Sequence, residues 1–408
     1  MADPAFTAEQ LAHIKAYAEP RYFGSLIQQG CDFAFDVLLL AVLVRPMYSG
    51  SVKLAAAVGG RLGWAANVPV LRVLVKMPRL LWGGDGAGAA LAFIAISAVV
   101  QKLMDLPLQI YIGFFHEKAF GLSTESFGRF LYDDVKMTLL GIAAGGCLTF
   151  GVLGWARRMK NWWLLAGPIF GGLLLLGAAL DPYRSQVIVD SHSLEAGPLR
   201  DGITALMTKA ELPFGDIRVE ETSKKSVKPD AYFAGQGPTR TIVLYDSLIA
   251  ALTTEELLAA VAHEAGHAGE SRWRAWLGSA VALFLFMALI EWLMRLTARR
   301  HWWGVTERAD LRVLPLVMTV FAIVTFAFYP LSLHRHRSDE LAADRYALTL
   351  TGKPAPFRQM LIKVARIALI DPEPPRWWVV MHMSHPPLGE RLAAVDAWTP
   401  ETPRAGEP

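Results

Sequence analysis

Two histidines and a glutamate in one short segment have the types and spacing of a metal-dependent hydrolytic site. Residues 263–267 read His263-Glu-Ala-Gly-His267. Helical side chains four residues apart lie on one face, so both imidazoles can bind a single zinc ion. Glu264 lies one residue further round the helix and can take a proton from the attacking water without binding the metal. We therefore expect one zinc ion per chain, with Glu264 as the general base.

A third metal ligand is required, and the sequence offers it on a later segment. One large class of such enzymes uses a histidine six residues after the second, but Trp273 occupies that position here. The other class uses a glutamate on a later helix. The segment Ser338-Asp-Glu340-Leu-Ala-Ala-Asp344 fits, because its two acidic side chains are four residues apart. We expect Glu340 to bind the zinc and Asp344 to accept the ring N–H of a zinc histidine.

The elements that must position these residues are also visible in the sequence. Thr253 followed by Glu256 is a capping box, which predicts that a helix begins here and runs through the histidines. Strands are predicted at 217–221 and 240–245, with a hairpin turn around Gly235-Gln-Gly-Pro238. The zinc site is thus expected on a small α+β domain.

The remainder of the chain is apolar enough to be a membrane protein. Residues 137–156, 161–180 and 313–333 contain no charged side chain, and each can cross a hydrocarbon core of roughly 30 Å. Less clean candidates lie at 28–45, 86–104 and 275–294, whereas the basic stretch 46–85 has no clear assignment. With spans at 275–294 and 313–333, Glu340 returns to the side of the bilayer on which His263 lies. The net charge of +3 is too small to suggest nucleic-acid binding.

The chain therefore divides into six predicted segments, mainly helical and multi-pass. They are an amphipathic lead-in (1–27), membrane helices (28–180), the first half of the zinc domain (181–274), two membrane helices (275–333), the second half of the zinc domain (334–399) and a disordered tail (400–408).

Several motifs, taken together, resemble those of the type I CAAX prenyl endopeptidases, which are membrane zinc proteases. They are His263-Glu-x-x-His267, Glu340-x-x-Ala-Asp344, Ser384-His-Pro-Pro-Leu-Gly-Glu-Arg391-Leu, Asp230-Ala-Tyr-Phe-Ala-Gly with Ile242-Val-Leu-Tyr-Asp246-Ser-Leu, and Leu106-Pro-Leu-Gln-Ile-Tyr-Ile-Gly-Phe-Phe-His-Glu-Lys118-Ala-Phe-Gly. The resemblance implies a ring of about six to seven membrane helices around a water-filled chamber that the zinc domain closes. It also implies cleavage of peptide bonds near the C-terminus of prenylated proteins.

The resemblance gives His385 the role of stabilising the oxyanion, which agrees with an imidazole N–H opposing developing negative charge. The alternative is a histidine that only orders the Pro386-Pro387 turn. Arg391 is expected to bind a substrate carboxylate or to form a surface salt bridge.

The strand around Ala231, Tyr232, Phe233 and Ala234 is a candidate for substrate binding. We expect it to be an exposed sheet edge to which an extended peptide adds by main-chain hydrogen bonds. The alternative is an ordinary hairpin with the two aromatic side chains in a core. Asp230 belongs to the same candidate set, although the family usually has Asn there, which puts an amide-specific contact in doubt.

Two other functions remain open from the sequence. One is a membrane quality-control protease, since the alanine- and arginine-rich composition suggests a bacterial inner membrane, where prenylated clients are unexpected. The other is a catalytically silent chamber that binds lipid-modified peptides, although the intact Glu264 argues against it. The expected partners are a peptide or protein substrate, prenylated or not, and the lipid bilayer.

The sidedness of the zinc domain is open as well. The resemblance places this domain in the cytoplasm, which is our expectation. The positive-inside rule, applied to Arg157, Arg158, Lys160, Arg295, Arg299 and Arg300 on the opposite side, points the other way.

Overall fold

The fold is mainly helical, as predicted. The computed structural model describes residues 5–59, 86–187, 190–235, 237–268 and 272–400. The helices are α1 (Ala8–Leu38), α2 (Val44–Gly59), α3 (Gly86–Ile110), α4 (Phe127–Arg158), α5 (Trp162–Val187), α6 (Pro198–Lys209), α7 (Asp246–Ala251), α8 (Thr254–Ala268), α9 (Arg272–Arg300), α10 (Leu314–Thr351), α11 (Pro354–Ile367), α12 (Arg376–His382) and α13 (Leu388–Asp396). The predicted disordered tail from 401 and the larger part of the basic stretch, 60–85, lie outside the described residues.

The multi-pass character is confirmed by helix length and composition. Among the described residues, five helical stretches are long and apolar enough to cross a membrane: Ala8–Ala57, Gly88–Ala119, Phe127–Arg158, Leu277–Arg300 and Leu311–Thr351. The predicted span at 161–180 falls on α5, whose first part, Trp162–Leu173, is a shorter apolar helix.

The first helix has no break at the predicted boundary between residues 27 and 28. Thr7 caps α1 in a reciprocal capping box with Gln10. From there the helix runs to Leu38, and a π-helical stretch, Leu39–Leu43, connects it to α2. The predicted lead-in and the start of the first predicted membrane segment therefore lie on one continuous helix, although Pro20 within it has no N–H to donate.

Helix α10 likewise runs through a predicted boundary, that at 333/334. Its 38 residues begin with an apolar stretch that exposes Phe321, Phe328 and Leu331, and they continue into a polar stretch. Gly352 adopts a left-handed conformation (φ 66°) and ends the helix. One continuous helix, with Pro330 inside it, thus connects the apolar span to the segment that carries Glu340.

A four-stranded sheet has the order β1-β2-β4-β3. The strands are β1 (Ser191–Ser193), β2 (Asp216–Glu220), β3 (Ala231–Ala234) and β4 (Thr241–Tyr245). Strands β3 and β4 are antiparallel with Ala231 opposite Leu244 and Ala234 opposite Thr241, which confirms the predicted hairpin. Strands β2 and β4 are parallel, and β3 lies at the edge of the sheet.

Two separate apolar cores stabilise the two parts of the protein. One unites the sheet with α6, α8, α10, α11 and α13, around residues such as Ile217, Leu244, Val261 and Phe357. Ile14 on the first turns of α1 belongs to this core too. The other core joins α3, α4, α5, α9 and α10 around side chains that include Phe93, Trp162 and Met294. The start of α1 is therefore part of the domain that contains the sheet.

Helices α8 and α10 pack at very short range where Gly266 faces Ala343. A Cβ atom added to Gly266 would lie 2.7 Å from the Cα atom of Ala343. The contact involves backbone, so a side-chain rotation cannot relieve it. Glycine at this position therefore sets the separation of the two helices that carry the predicted metal ligands.

We predict that Gly266→Ala forces α8 and α10 apart and lowers the free energy of unfolding by about 1–3 kcal/mol, as overpacking of a core typically does. Zinc content should fall with it. Thermal unfolding and metal analysis of the purified protein measure both effects. Gly151→Ala on α4 is the matched control, because no described atom beyond its chain neighbours and its own helix backbone lies within 4 Å of the added Cβ there. Equal behaviour of the two variants would contradict the assigned contact.

Candidate active site

The helix α8 begins with the predicted capping box. The backbone N–H of Thr253 donates to Glu256 Oε2 at 2.8 Å, and the N–H of Glu256 donates to the Thr253 hydroxyl at 3.4 Å. Lys363 on α11 holds the same Glu256 oxygen at 2.7 Å. The start of the helix is therefore fixed to a neighbouring element as well as to itself.

His263, His267 and Glu340 converge at the contact between α8 and α10. Nε2 of His263 lies 3.3 Å from Oε2 of Glu340, and Nε2 of His267 lies 3.3 Å from Oε1. One ligand atom from each of the three side chains can be chosen so that all lie within 4.8 Å of one another. Two imidazole nitrogens and a carboxylate oxygen are a donor set typical of catalytic zinc, which keeps one position open.

The electrostatics of this cluster fit a bound cation. Glu340 Oε2 is buried and has no hydrogen-bond partner among the described residues. Burial opposes a charge on His263, yet the nearby carboxylates of Asp344 and Glu340 outweigh it and raise the pKa of His263 to about 9. The surroundings of His263 therefore stabilise positive charge, and a divalent metal would satisfy the remaining carboxylate oxygen.

Asp344 lies behind His263 and is itself held by Arg391. Oδ1 of Asp344 is 2.8 Å from Nδ1 of His263. The Arg391 guanidinium donates two hydrogen bonds to this carboxylate, at 2.8 Å from Nε and 2.6 Å from Nη2. The pKa of Arg391 is raised because its bonds to Asp344 outweigh the cost of burial. Arg391 thus lies in a buried pair rather than a surface salt bridge.

Glu264 follows His263 on α8 and is partly buried. Burial raises the pKa of Glu264 to about 6, the positive charges of the histidines oppose this, and Asp230 and Glu340 add to it. A carboxyl whose pKa lies just below neutrality is suited to accept and return a proton. Strand β3, which follows Asp230, packs against the helix that carries Glu264.

His385 approaches the cluster from the segment between α12 and α13. Its Nε2 lies 3.4 Å from Glu340 Oε2, and its side chain is 58% exposed. Nδ1 of His385 shares a hydrogen bond with the Ser384 hydroxyl at 3.0 Å. Arg337 on α10 donates to the carbonyls of Val379 and Met383, which fixes the end of α12 just before this segment. An accessible imidazole therefore stands at the open side of the cluster.

The candidate substrate strand β3 packs against α8 with one face and leaves one edge unpaired within the sheet. Tyr232 and Phe233 are half-buried: the Tyr232 hydroxyl donates to Glu220 at 3.0 Å, and the Phe233 ring lies 6.0 Å from the Arg240 guanidinium. The Phe233 side chain thus packs against the core around the sheet, the Tyr232 hydroxyl is bound to Glu220, and β3 lies at the edge of the sheet.

Comparison with known proteins identifies the family. Residues 193–399 match the model of peptidase family M48, and residues 4–183 match the CAAX prenyl protease N-terminal model, described as five membrane helices. The first match covers just over half of the chain. The chain belongs to peptidase family M48. It is a membrane metalloendopeptidase, as the sequence predicted.

Relatives of this peptidase occur in bacteria and eukaryotes. The metalloprotease YhfN of Bacillus subtilis is 27% identical over 74% of this chain and 71% of its own length. CAAX prenyl protease 1 of Saccharomyces cerevisiae is 26% identical over 75% of this chain and 72% of that protein. The crystal structure of S. mikatae Ste24p has a TM-score of 0.81 at 21% sequence identity, covering 97% of this chain and 90% of that chain, so the two share a fold.

Sequence reasoning missed two features of the peptidase that shape the site. It placed Arg391 at a substrate carboxylate or at the surface, and the guanidinium lies on Asp344 instead. The spacing of Glu340, Asp344 and the histidines gave no signal for this bond, because it joins segments 47 residues apart. Sequence reasoning also gave Gly266 no role, although a glycine between the two histidines could have indicated a close contact between helices.

We predict that Glu340→Ala markedly lowers the zinc content of the purified peptidase, because it removes a ligand oxygen. Asp344→Ala should lower zinc affinity by about 10–100-fold, the usual effect of losing a group that orients a ligand. Metal analysis after dialysis against graded chelator distinguishes the two. Asp339→Ala is the control, since this neighbouring carboxylate contacts Arg335 at 3.9 Å and belongs to the exposed face. Full zinc occupancy in the Glu340 variant would remove it from the ligand set.

Proposed function

We propose that this peptidase binds one zinc ion through His263, His267 and Glu340 and cleaves peptide bonds near the C-terminus of membrane-associated proteins, prenylated proteins included. The observation that carries the proposal is the convergence of the three donor side chains within 4.8 Å at the α8–α10 contact. Their spacing in the sequence and their placement on two tightly packed helices support the same ligand set.

The chemistry divides among a few side chains. Zinc in this site supplies Lewis acidity, which polarises the scissile carbonyl and acidifies the attacking water. Glu264 takes the proton of that water and delivers it to the leaving amine. The imidazole of His385 donates an N–H to the oxygen on which negative charge develops. Asp344 keeps His263 in the tautomer and orientation that leave Nε2 for the metal, and Arg391 holds Asp344 in turn.

The substrate is held as an added strand. Strand β3 is at the edge of the sheet, and its start lies close enough to Glu264 for the charge of Asp230 to affect the pKa of that base. An extended peptide paired with β3 would be held by its main chain, and this pairing would not select particular side chains. Such a mode suits an enzyme that cleaves different sequences.

Prenylated substrates are suggested by the relatives named as CAAX prenyl proteases, which match most of this chain. A quality-control protease would instead have to cleave unmodified, unfolded chains. The cytoplasmic placement of the zinc domain stays a prediction.

We predict that Glu264→Gln retains zinc and loses peptidase activity by about 10²–10⁴-fold, because the amide keeps the shape of the side chain but cannot accept a proton. The measurement is cleavage by the purified protein in lipid of a prenylated C-terminal reporter peptide and of the same peptide without the lipid. Wild-type cleavage of the prenylated reporter alone supports the proposed substrate class. Preference for the unmodified reporter supports quality control instead. A Glu264→Gln protein with wild-type activity would show that the assigned base is wrong.

Tyr245 donates its N–H to the Asp230 carbonyl, so alternate residues of β3 bond to β4 and the N–H of Phe233 faces away from β4. We predict that Phe233→Pro on β3 raises KM or abolishes cleavage while zinc stays bound, since proline cannot donate a main-chain hydrogen bond to an added strand. Phe233→Ala is the control, because it removes the same side chain and keeps the N–H. Circular dichroism and metal analysis establish that the proline variant is folded. Normal cleavage by that variant would show that the substrate does not pair with this strand.

A further inference from the structure

A cluster of charged side chains lies between the first membrane helix and the segment that leads into β3. At its centre is Glu117, which is 8% exposed. Its Oε1 accepts hydrogen bonds from the Tyr17 hydroxyl at 2.6 Å and from Arg21 Nη1 at 2.5 Å, and its Oε2 lies 2.7 Å from Lys228 Nζ. Lys228 also donates to the Tyr17 hydroxyl at 3.1 Å. One carboxylate thus joins three elements that are far apart in the sequence.

The surrounding contacts make this cluster rigid. The ring of His116 stacks on that of Tyr17, with centroids 5.1 Å apart, and its Nε2 is 2.8 Å from the Tyr17 carbonyl. The loop after Glu117 runs alongside the segment before β3: Val227 N donates to the Leu122 carbonyl at 3.1 Å. The cluster therefore fixes this segment against α1 at both the side-chain and the backbone level.

Lys228 is directly connected to the substrate edge. Pro229 is the only residue between Lys228 and Asp230, and the Asp230 carbonyl accepts the N–H of Tyr245 at 3.0 Å as β3 begins. The fixed φ of proline makes this connection stiff. The Lys228 carbonyl also accepts the Ser247 hydroxyl at 3.0 Å. A displacement of Lys228 would thus be passed on to the first residues of the strand.

The same cluster borders a cavity of about 270 Å³ next to the site. Tyr17, Arg21 and Lys228 form one wall, and Met383, two residues before His385, forms part of another. The segments that lead to β3 and to His385 therefore meet at this cavity.

We propose that Glu117 is a positioning residue for substrate binding: through Lys228 it sets the place of the β3 edge relative to α1 and the membrane. The inference rests on the proposed pairing of substrate with β3. Without the Glu117 charge, Arg21 and Lys228 would repel each other, and the start of β3 would lose its fixed position. The metal ligands lie on α8 and α10, so the loss should affect peptide binding rather than zinc binding.

The test is the steady-state kinetics of Glu117→Gln in lipid with the prenylated reporter peptide. We expect KM to rise by about tenfold or more with kcat within about twofold, which is the result of losing uniform binding, and zinc content to stay unchanged. Lys228→Arg, which keeps the charge, should have a KM near that of the wild type. Lys225→Ala is the matched control, because Lys225 connects the same segment to Asp133 through an exposed ion pair of 2.6 Å.

Peptide affinity is measured separately in a Glu264→Gln background, by fluorescence anisotropy of the labelled reporter, so that the result does not depend on cleavage. A wild type that fails to cleave would overturn the proposed function, whereas unchanged affinity and KM in the Glu117 variant would overturn the positioning role alone. A joint fall of zinc content, kcat and melting temperature would also overturn it, since the cluster would then only support the fold. If Glu117→Gln does not fold, Lys228→Met tests the same bond with Glu117 still bound to Arg21.

Discussion

The close contact between α8 and α10 is the constraint on which the site depends. Two imidazoles and a carboxylate can share a metal only when the helices that carry them approach closely, and the absence of a side chain at Gly266 permits this approach to Ala343. The alanine-rich face around the contact, with Ala262, Ala265 and Ala343 almost fully buried, extends it along both helices. These small residues allow the two helices to approach closely. The site therefore needs them in addition to the side chains that take part in the chemistry.

Long helices connect this contact to the bilayer. Helix α10 carries Glu340 and Asp344 on the same continuous element as an apolar span, and α1 contributes Ile14 to the core around the sheet before it enters the membrane. The domain that contains the sheet is thus built partly from the ends of helices that are apolar and long enough to cross a membrane. The positions of Glu340 and Asp344 therefore depend on how these long helices pack.

Two chains of charged side chains alternate in sign. Arg391, Asp344 and His263 form one chain beside Glu340, and Lys228, Glu117 and Arg21 form another near the start of β3. Each charge in these two chains has an opposite partner at hydrogen-bond distance, which is the condition under which burial is tolerated. Such pairs fix orientation because a displaced partner would leave a charge unsolvated. The two chains therefore define the positions of the ligands and of β3.

The sequence by itself determined the chemistry and the broad architecture. His263, Glu264 and His267 follow from helical spacing, the capping box at Thr253 follows from local hydrogen bonding, and the apolar runs follow from the thickness of a bilayer, since all three depend on residues near one another in the chain. Only the tertiary structure decided the bond between Arg391 and Asp344, the edge position of β3, the continuity of α1 and α10 through their predicted boundaries, and the link from Glu117 to Lys228. These features depend on which distant segments of the chain come into contact. The types of side chain and their spacing along the sequence do not indicate such contacts.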